Sequence, residues 1–262
     1  MSVLLVSWDG PEHGARAMAR DRVLTTLIAP GAGISGLIRF HGWSRPCLSL
    51  GRAQRVEAER LDALVSDGID VVRRPTGGGW LLHLPGDLAV SWVDPGPLGA
   101  GGLRGASRRV AEAIAGGFRR VGVPAQVSLV EGGRSRSEIC FQRVDREEVV
   151  AADAKVAGVA LARIGRAALV QAAIPLAPVA PSVAGAEQEW DPCRSSAVAA
   201  ACGADPFALR KAVGAAIAEQ GALESERWFW SPGALADAES ADRHAHSGGV
   251  ARGIGSESVM PS

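Results

Sequence analysis

The stretch Arg73-Arg74-Pro75-Thr76-Gly77-Gly78-Gly79-Trp80-Leu81-Leu82-His83 organises the reading of the whole chain. A proline and three successive glycines do not continue a regular element, so Pro75–Gly79 is expected to be a loop. Ile69–Arg74 before it and Trp80–His83 after it read as strands. Residues without a Cβ let a ligand come close to the backbone. Their N–H groups can cradle an anion, and Arg73 and Arg74 place further donors at the base of the loop. A phosphate, a phosphopantetheine arm or an acyl carbonyl would suit it. A tight hairpin turn needing positive φ would use the same glycines, and local sequence does not separate the two readings.

Upstream, Ser2–Ser7 alternates weakly as a short strand, and Gly14–Ile28 places Ala17, Met18, Val23, Leu24 and Leu27 on a helical stripe that Gly31–Gly36 ends. Leu37–His41 and Cys47–Leu50 read as strands and Val56–Val65 as a helix stopped by Asp67 and Gly68. Downstream, Trp80–His83 and Leu88–Val93 are expected to pair around a Leu84–Asp87 turn. Ala106–Val121 repeats Val110, Ala113, Ile114, Gly117 and Phe118 at helical spacing, up to Gly122 and Pro124. Ala125–Val130, Glu147–Ala151, Val156–Leu161 and Ala167–Ile174 predict a second, antiparallel set of strands. Pro175–Asp191 reads as irregular and Phe207–Gln220 as a last helix. Beyond Gly233 the sequence loses all periodicity, so a tail over 233–262 is expected behind one domain spanning 1–232. The pattern predicts an α+β fold of mainly antiparallel sheets with helices packed against them.

Composition narrows the function. Of 262 residues 47% are hydrophobic, enough for a sizeable core, and 28 basic residues balance 28 acidic ones, so neither nucleic acid nor a membrane surface is an expected partner. Met1–Trp8 holds only a four-residue apolar run before Asp9, unlike a secretory leader, and no apolar run approaches the roughly 20 residues of a membrane span. The cysteines at 47, 140, 193 and 202 fit neither a metal-ligand spacing nor a disulfide scaffold, so no metal site is expected and reduced thiols in a cytoplasmic protein are. Lysine occurs only at 155 and 211 in a chain biased toward Ala, Gly and Arg, which makes a retained lysine informative.

The glycine loop also belongs to a longer pattern. Arg73, Arg74, Gly77-Gly78-Gly79 and His83, followed by Gly86-Asp87-Leu88 and Ser91, resemble the signature of the lipoate-protein ligase, octanoyltransferase and biotin ligase superfamily. Trp43, Pro46 and Ser49-Leu50-Gly51-Arg52 with Gln54 look like the segment that precedes it. Cys140-Phe141, Glu148-Val149-Val150, Lys155-Val156-Ala157-Gly158, Gln171 and Ile174-Pro175-Leu176 resemble a third block of the lipoate branch. The resemblance runs from about Ser2 to Leu176 and implies a biotin/lipoate ligase-like catalytic domain. It implies that Arg73, Arg74, Thr76, Gly77, Gly78, Gly79, His83 and Gly158 bind the acyl group and the carrier's reactive end, and that Lys155 holds the carbonyl. The surface alternative for Lys155 is an ordinary ion pair.

Cys140-Phe141, fifteen residues before Lys155, is similar to the nucleophile pair of the cysteine-dependent octanoyltransferases. The resemblance therefore implies transfer of an octanoyl or lipoyl group from an acyl carrier protein, through a Cys140 thioester, to a lysine of a lipoyl domain or glycine-cleavage H protein. That route needs no cofactor. A lipoate-protein ligase reading, which would use ATP and Mg2+, and a non-catalytic acyl-binding reading remain open beside it. Cys140 as a packed apolar residue and His83 as a loop-shaping hydrogen-bond partner are the corresponding plain alternatives. Val159-Ala160-Leu161 and Gln171-Ala172-Ala173 depart from the family pattern, the latter replacing a glutamine-histidine-glycine run.

Overall fold

A computed structural model of the chain describes residues 3–27, 33–94, 101–130, 144–177, 194, 196–220, 224–230, 234–237 and 240. The elements, in chain order, are β1 (Val3–Glu12), α1 (Gly14–Leu27), β2 (Ile34–Trp43), β3 (Cys47–Leu50), α2 (Ala58–Ser66), β4 (Asp70–Arg73), β5 (Leu81–His83), β6 (Leu88–Asp94), α3 (Gly102–Arg120), β7 (Gln126–Val127), β8 (Val149–Ala151), β9 (Ala154–Ile164), β10 (Ala167–Ile174), α4 (Pro206–Gln220) and β11 (Glu224–Arg227). Among the described residues the strands form an eight-stranded sheet, β11-β1-β2-β6-β10-β9-β8-β7, and a three-stranded sheet, β4-β3-β5. In the larger sheet, pairing is parallel from β11 through β1 to β2 and antiparallel from β2 onward. The fold is thus α+β with mostly antiparallel sheets.

Two expectations need correction. β5 and β6 do not form a hairpin: β5 pairs with β3 in the small sheet, whereas β6 lies between β2 and β10 in the large one. The Asp87 carboxylate explains the parting. It accepts the Leu84 N–H at 2.8 Å, closing a local turn with Gly86 at φ 98°, and also accepts the Leu176 N–H at 3.0 Å and the Arg194 guanidinium at 2.6 Å. Those long-range bonds hold the turn at a corner between the sheets rather than at a hairpin tip. Nor do the later strands form a second sheet: β10 pairs along its length with β6, so β7 to β10 extend the first.

Alternation along the central strands separates two faces. Ile38 and Phe40, Val90 and Trp92, and Val170 and Ile174 join one core with Val110, Ile114 and Phe118 of α3. Each such side chain contributes about 1.5–3 kcal/mol when fully buried. Helix α4 lies close on α3, because a Cβ on Gly117 would sit 2.5 Å from Val213 Cγ2. The opposite face carries Arg39, His41, Ser91, Gln171 and Ala173, and α1 and the small sheet cover it. No helix among the described residues is long and apolar enough to cross a membrane.

Candidate active site

The glycine loop is held by its own arginine. Arg74 Nη1 donates to the Ser49 carbonyl at 2.7 Å and to Ser49 Oγ at 2.8 Å, while Nη2 donates to the carbonyls of Gly77 at 3.0 Å and Gly79 at 2.8 Å. With its carbonyls turned inward to the guanidinium, the loop takes a fixed path, and Gly78 adopts φ 97°, a conformation that favours glycine. Arg73 points the other way and donates to the carbonyls of Gly51 at 2.8 Å and Gln54 at 2.6 Å. The 51–54 segment is thereby packed on the glycine loop so closely that a Cβ on Gly51 would sit 1.8 Å from the Gly78 oxygen.

Behind the loop lies a narrow, mostly apolar cavity of about 30 Å³, room for about two waters. Its floor is the large sheet. The register sets His41 beside Ala89, Ala89 beside Ala173 and Ala173 beside Gly158, so three small residues run in a row from β9 to the imidazole on β2. Met18, Leu81 and Trp43 form walls. Arg74 and His83 bring the loop and the small sheet to the same space.

A chain of buried polar groups ties the loop to the sheet. Thr76 Oγ1 donates to Gln171 Oε1 at 2.7 Å, and Gln171 Nε2 donates to Asp21 Oδ2 at 2.6 Å, where Ser91 Oγ also donates at 2.8 Å. The other Asp21 oxygen accepts from Arg39 at 2.7 Å, and Arg39 reaches on to Asp9 at 2.6 Å and to Glu12. Burial works against the Arg39 charge, but Asp21, Glu12 and Asp9 hold its guanidinium above its ordinary value. A fully buried arginine needs that many acceptors.

His83 stacks on Trp43 with ring centroids 4.0 Å apart and meets Ser49 Oγ at 2.6 Å through Nε2. Because Arg74 donates to that same hydroxyl, its proton is best placed on Nε2, which assigns the Nδ1–H tautomer. Burial, with Arg74 and Arg194 nearby, pushes the His83 pKa well below the ordinary imidazole value, so the ring is neutral. It shapes the wall of the cavity through Ser49 and Trp43.

Lys155 sits on β9 with its side chain only 2% exposed, and its ammonium pairs with Glu148 at 2.5 Å. Burial raises the Glu148 pKa in spite of that partner. The pairing between β8 and β9 slips at Val149/Val150, and Val156 and Ala157 both pack into the α3 core. Two successive residues facing one way are the mark of a bulge, which returns Lys155 to the face that carries Gly158. The lysine stands about 10 Å along the strand from Gly158.

The structure thus brings Arg74, His83 and Gly158 to one cavity, ties Thr76 to it through Gln171, and places Lys155 on the adjoining part of the same strand. Gly77 and Gly79 are joined to the cavity through Arg74, which takes their carbonyls, whereas Arg73 braces the 51–54 segment beside the loop. Cys140 lies outside the described residues. Sequence reading passed over Asp21, Arg39, His41 and Glu148 as site residues. Asp21 had a signal, a carboxylate on the stripe of Ala17, Met18 and Leu24, and so did Arg39, a lone charge within an apolar strand.

Residues 13–182 match the family described as the lipoyl protein ligase A/B catalytic domain, and the chain belongs to that family. Among curated proteins it is similar to octanoyltransferase LipM of Moorella thermoacetica, 36% identical over 145 residues, 53% of each chain. It is also similar to octanoyltransferase LipM of an Exiguobacterium species, 33% identical over 172 residues, 62% of each chain. The chain thus matches between about half and three-fifths of the length of these relatives. Among solved structures, lipoate-protein ligase A bound with ATP superposes with a TM-score of 0.68 at 20% identity, covering 94% of both chains. A bipartite lipoate protein ligase from Thermoplasma acidophilum, solved in a study of that ligase and its lipoyl domain, gives a TM-score of 0.66 at 19% identity, covering 94% of this chain and 92% of that one. At that identity the structural likeness establishes the fold.

Proposed function

We propose that the chain is a cytoplasmic acyltransferase that moves an octanoyl or lipoyl group, in which residues 1–232 form the catalytic unit and 233–262 a tail. The observation that carries the reading is the apolar cavity that runs from the arginine-braced glycine loop to Gly158, on the sheet face shared with a buried, carboxylate-paired lysine. The names of the curated relatives support the octanoyl donor. An eight-carbon chain exceeds the cavity, so entry requires Met18, an adaptable side chain, and Leu81 to swing aside.

The reaction has two steps. The Cys140 thiolate attacks the carbonyl carbon of an octanoyl thioester on acyl carrier protein, and the tetrahedral intermediate expels the carrier's thiolate. The ε-amine of a lysine on a lipoyl domain, or on a glycine-cleavage H protein, then attacks the Cys140 thioester. Collapse forms the amide, releases the Cys140 thiolate and passes the amine proton to solvent or sulfur. Both steps place negative charge on the carbonyl oxygen. Lys155 is the group suited to meet it, and Glu148 holds that side chain in place between turnovers. The N–H groups of Gly77–Gly79 would steady the carrier's pantetheine arm.

The test is transfer without nucleotide. Octanoyl carrier protein and a lipoyl domain are incubated with the full chain, and the acceptor is weighed by mass spectrometry. The proposal expects an octanoyl mass gain on the acceptor lysine with no ATP present, lost in Cys140→Ala and reduced in Lys155→Met. Transfer by the Cys140→Ala chain, or transfer of free acid only when ATP and Mg2+ are added, would overturn it.

A further inference from the structure

His41 is 3% exposed, lines the cavity, and has both ring nitrogens without a hydrogen-bond partner among the described residues. The described neighbours do not supply one: Ala89 stands beside it on β6, and the Trp43 ring, 5.3 Å away centroid to centroid, leaves its own Nε1 unpartnered as well. Buried polar groups are nearly always bonded, and one left over at a cavity wall points to a partner that arrives from the cavity. Phe or Leu would serve better there if the only guest were hydrocarbon. Burial, then Arg39, His83 and Arg20, drives the His41 pKa well below the usual imidazole value, so the ring is neutral and offers one donor and one acceptor.

Position says which part of a guest it would meet. Gly158, Ala173, Ala89 and His41 occupy four adjacent strands in register, a span of about 14 Å at the usual strand spacing. The small residues leave a furrow that runs from Gly158 on β9 to His41 on β2, and Lys155 lies about 10 Å further along β9 from its Gly158 end. A chain whose carbonyl is held at the Lys155 end therefore presents its far carbons to His41.

We propose that His41 is a specificity residue selecting acyl chains whose distal carbons carry a heteroatom able to hydrogen-bond. A hydroxyl or oxo oxygen and the sulfur of a cyclic disulfide are the two sources of that chemistry. The inference rests on the acyl-transfer reading for the direction of the chain.

Calorimetric titration of the full chain with octanoate, 8-hydroxyoctanoate and lipoate tests it. A heteroatom-bearing acid should bind about tenfold tighter than octanoate, the worth of one neutral hydrogen bond, and which of the two gains identifies oxygen or sulfur as its source. His41→Phe should erase the preference by tightening octanoate relative to the other two, whereas His41→Gln, which keeps a donor and an acceptor, should retain most of it. Octanoate binding as tightly as both others to the unsubstituted chain, or an unchanged ratio in His41→Phe, would overturn the role of His41 and leave the acyl site standing. Failure of all three acids to bind would instead remove the acyl site itself.

Discussion

Gly51 gives the sharpest steric test of the site. A Cβ there would lie 1.8 Å from the Gly78 oxygen, and that oxygen belongs to backbone rather than to a movable side chain. Real Cβ atoms essentially never approach heavy atoms within 3.0 Å, so Gly51→Ala must drive the 51–54 segment and the glycine loop apart by more than about 1 Å. The bonds at risk are Arg52 N–H to the Thr76 carbonyl at 2.9 Å and the pair from Arg73 to the carbonyls of Gly51 and Gln54. All lie away from the α3 core, so the domain should remain folded. A displacement of that size near reacting atoms is worth about 100-fold in rate, equivalent to about 2.7 kcal/mol of transition-state stabilisation. Steady-state transfer of octanoyl groups to a lipoyl domain should show this loss in kcat/KM, with far-ultraviolet circular dichroism unchanged. A Gly51→Ala chain that turns over like the original would refute the coupling between the two segments and the placing of the site at the glycine loop.

The remaining predictions concern charge. Glu148→Gln should destabilise the fold by about 3–5 kcal/mol in urea denaturation, because it strands a buried ammonium, while Glu148→Leu combined with Lys155→Met should recover most of the loss; equal stability of the single and double variants would argue that the pair is not a desolvated unit. His41 and His83 are both held neutral, so each stabilises the fold above pH ~6.5, and that contribution is lost as the pH falls below it, with a limiting slope of about 1.4 kcal/mol per pH unit per imidazole. Glu12 and Glu148, raised by burial, act with the opposite sign and lose stability as the pH rises, so the histidine effect is read as the difference between the unsubstituted chain and His41→Phe. The stability of the unsubstituted chain minus that of His41→Phe should fall steadily from pH ~6.5 to ~5; a constant difference would mean that His41 takes up its proton in the fold as readily as in the unfolded chain.

Much of this was legible in the sequence because it is local. Helix α1, strand β3, the glycine loop and strand β10 lie within a residue or two of where periodicity and glycine placed them. What escaped depends on partners far along the chain. Nothing in Leu84–Asp87 reveals that Arg194 and the Leu176 N–H will claim the Asp87 side chain and split a hairpin between two sheets. Glu224–Arg227 carries no apolar alternation, yet it pairs with β1 at the edge of the sheet, where polar residues are tolerated. The bulge that turns Lys155 toward the Gly158 face is a slip of one residue in register, which hydrophobic pattern does not encode. The motif residues were visible as a set; the fact that Arg74 spends its donors on the loop's own carbonyls emerged only from geometry.

The thioester intermediate is open to direct detection by intact-mass spectrometry of the chain after brief incubation with octanoyl carrier protein, followed by peptide mapping of the adduct. An acyl-enzyme at Cys140 requires a single octanoyl gain, labile to hydroxylamine, on the peptide that contains Cys140, and its absence in Cys140→Ser. An adduct mapped to Cys47, Cys193 or Cys202, or an unmodified chain that nonetheless transfers octanoate, would contradict it.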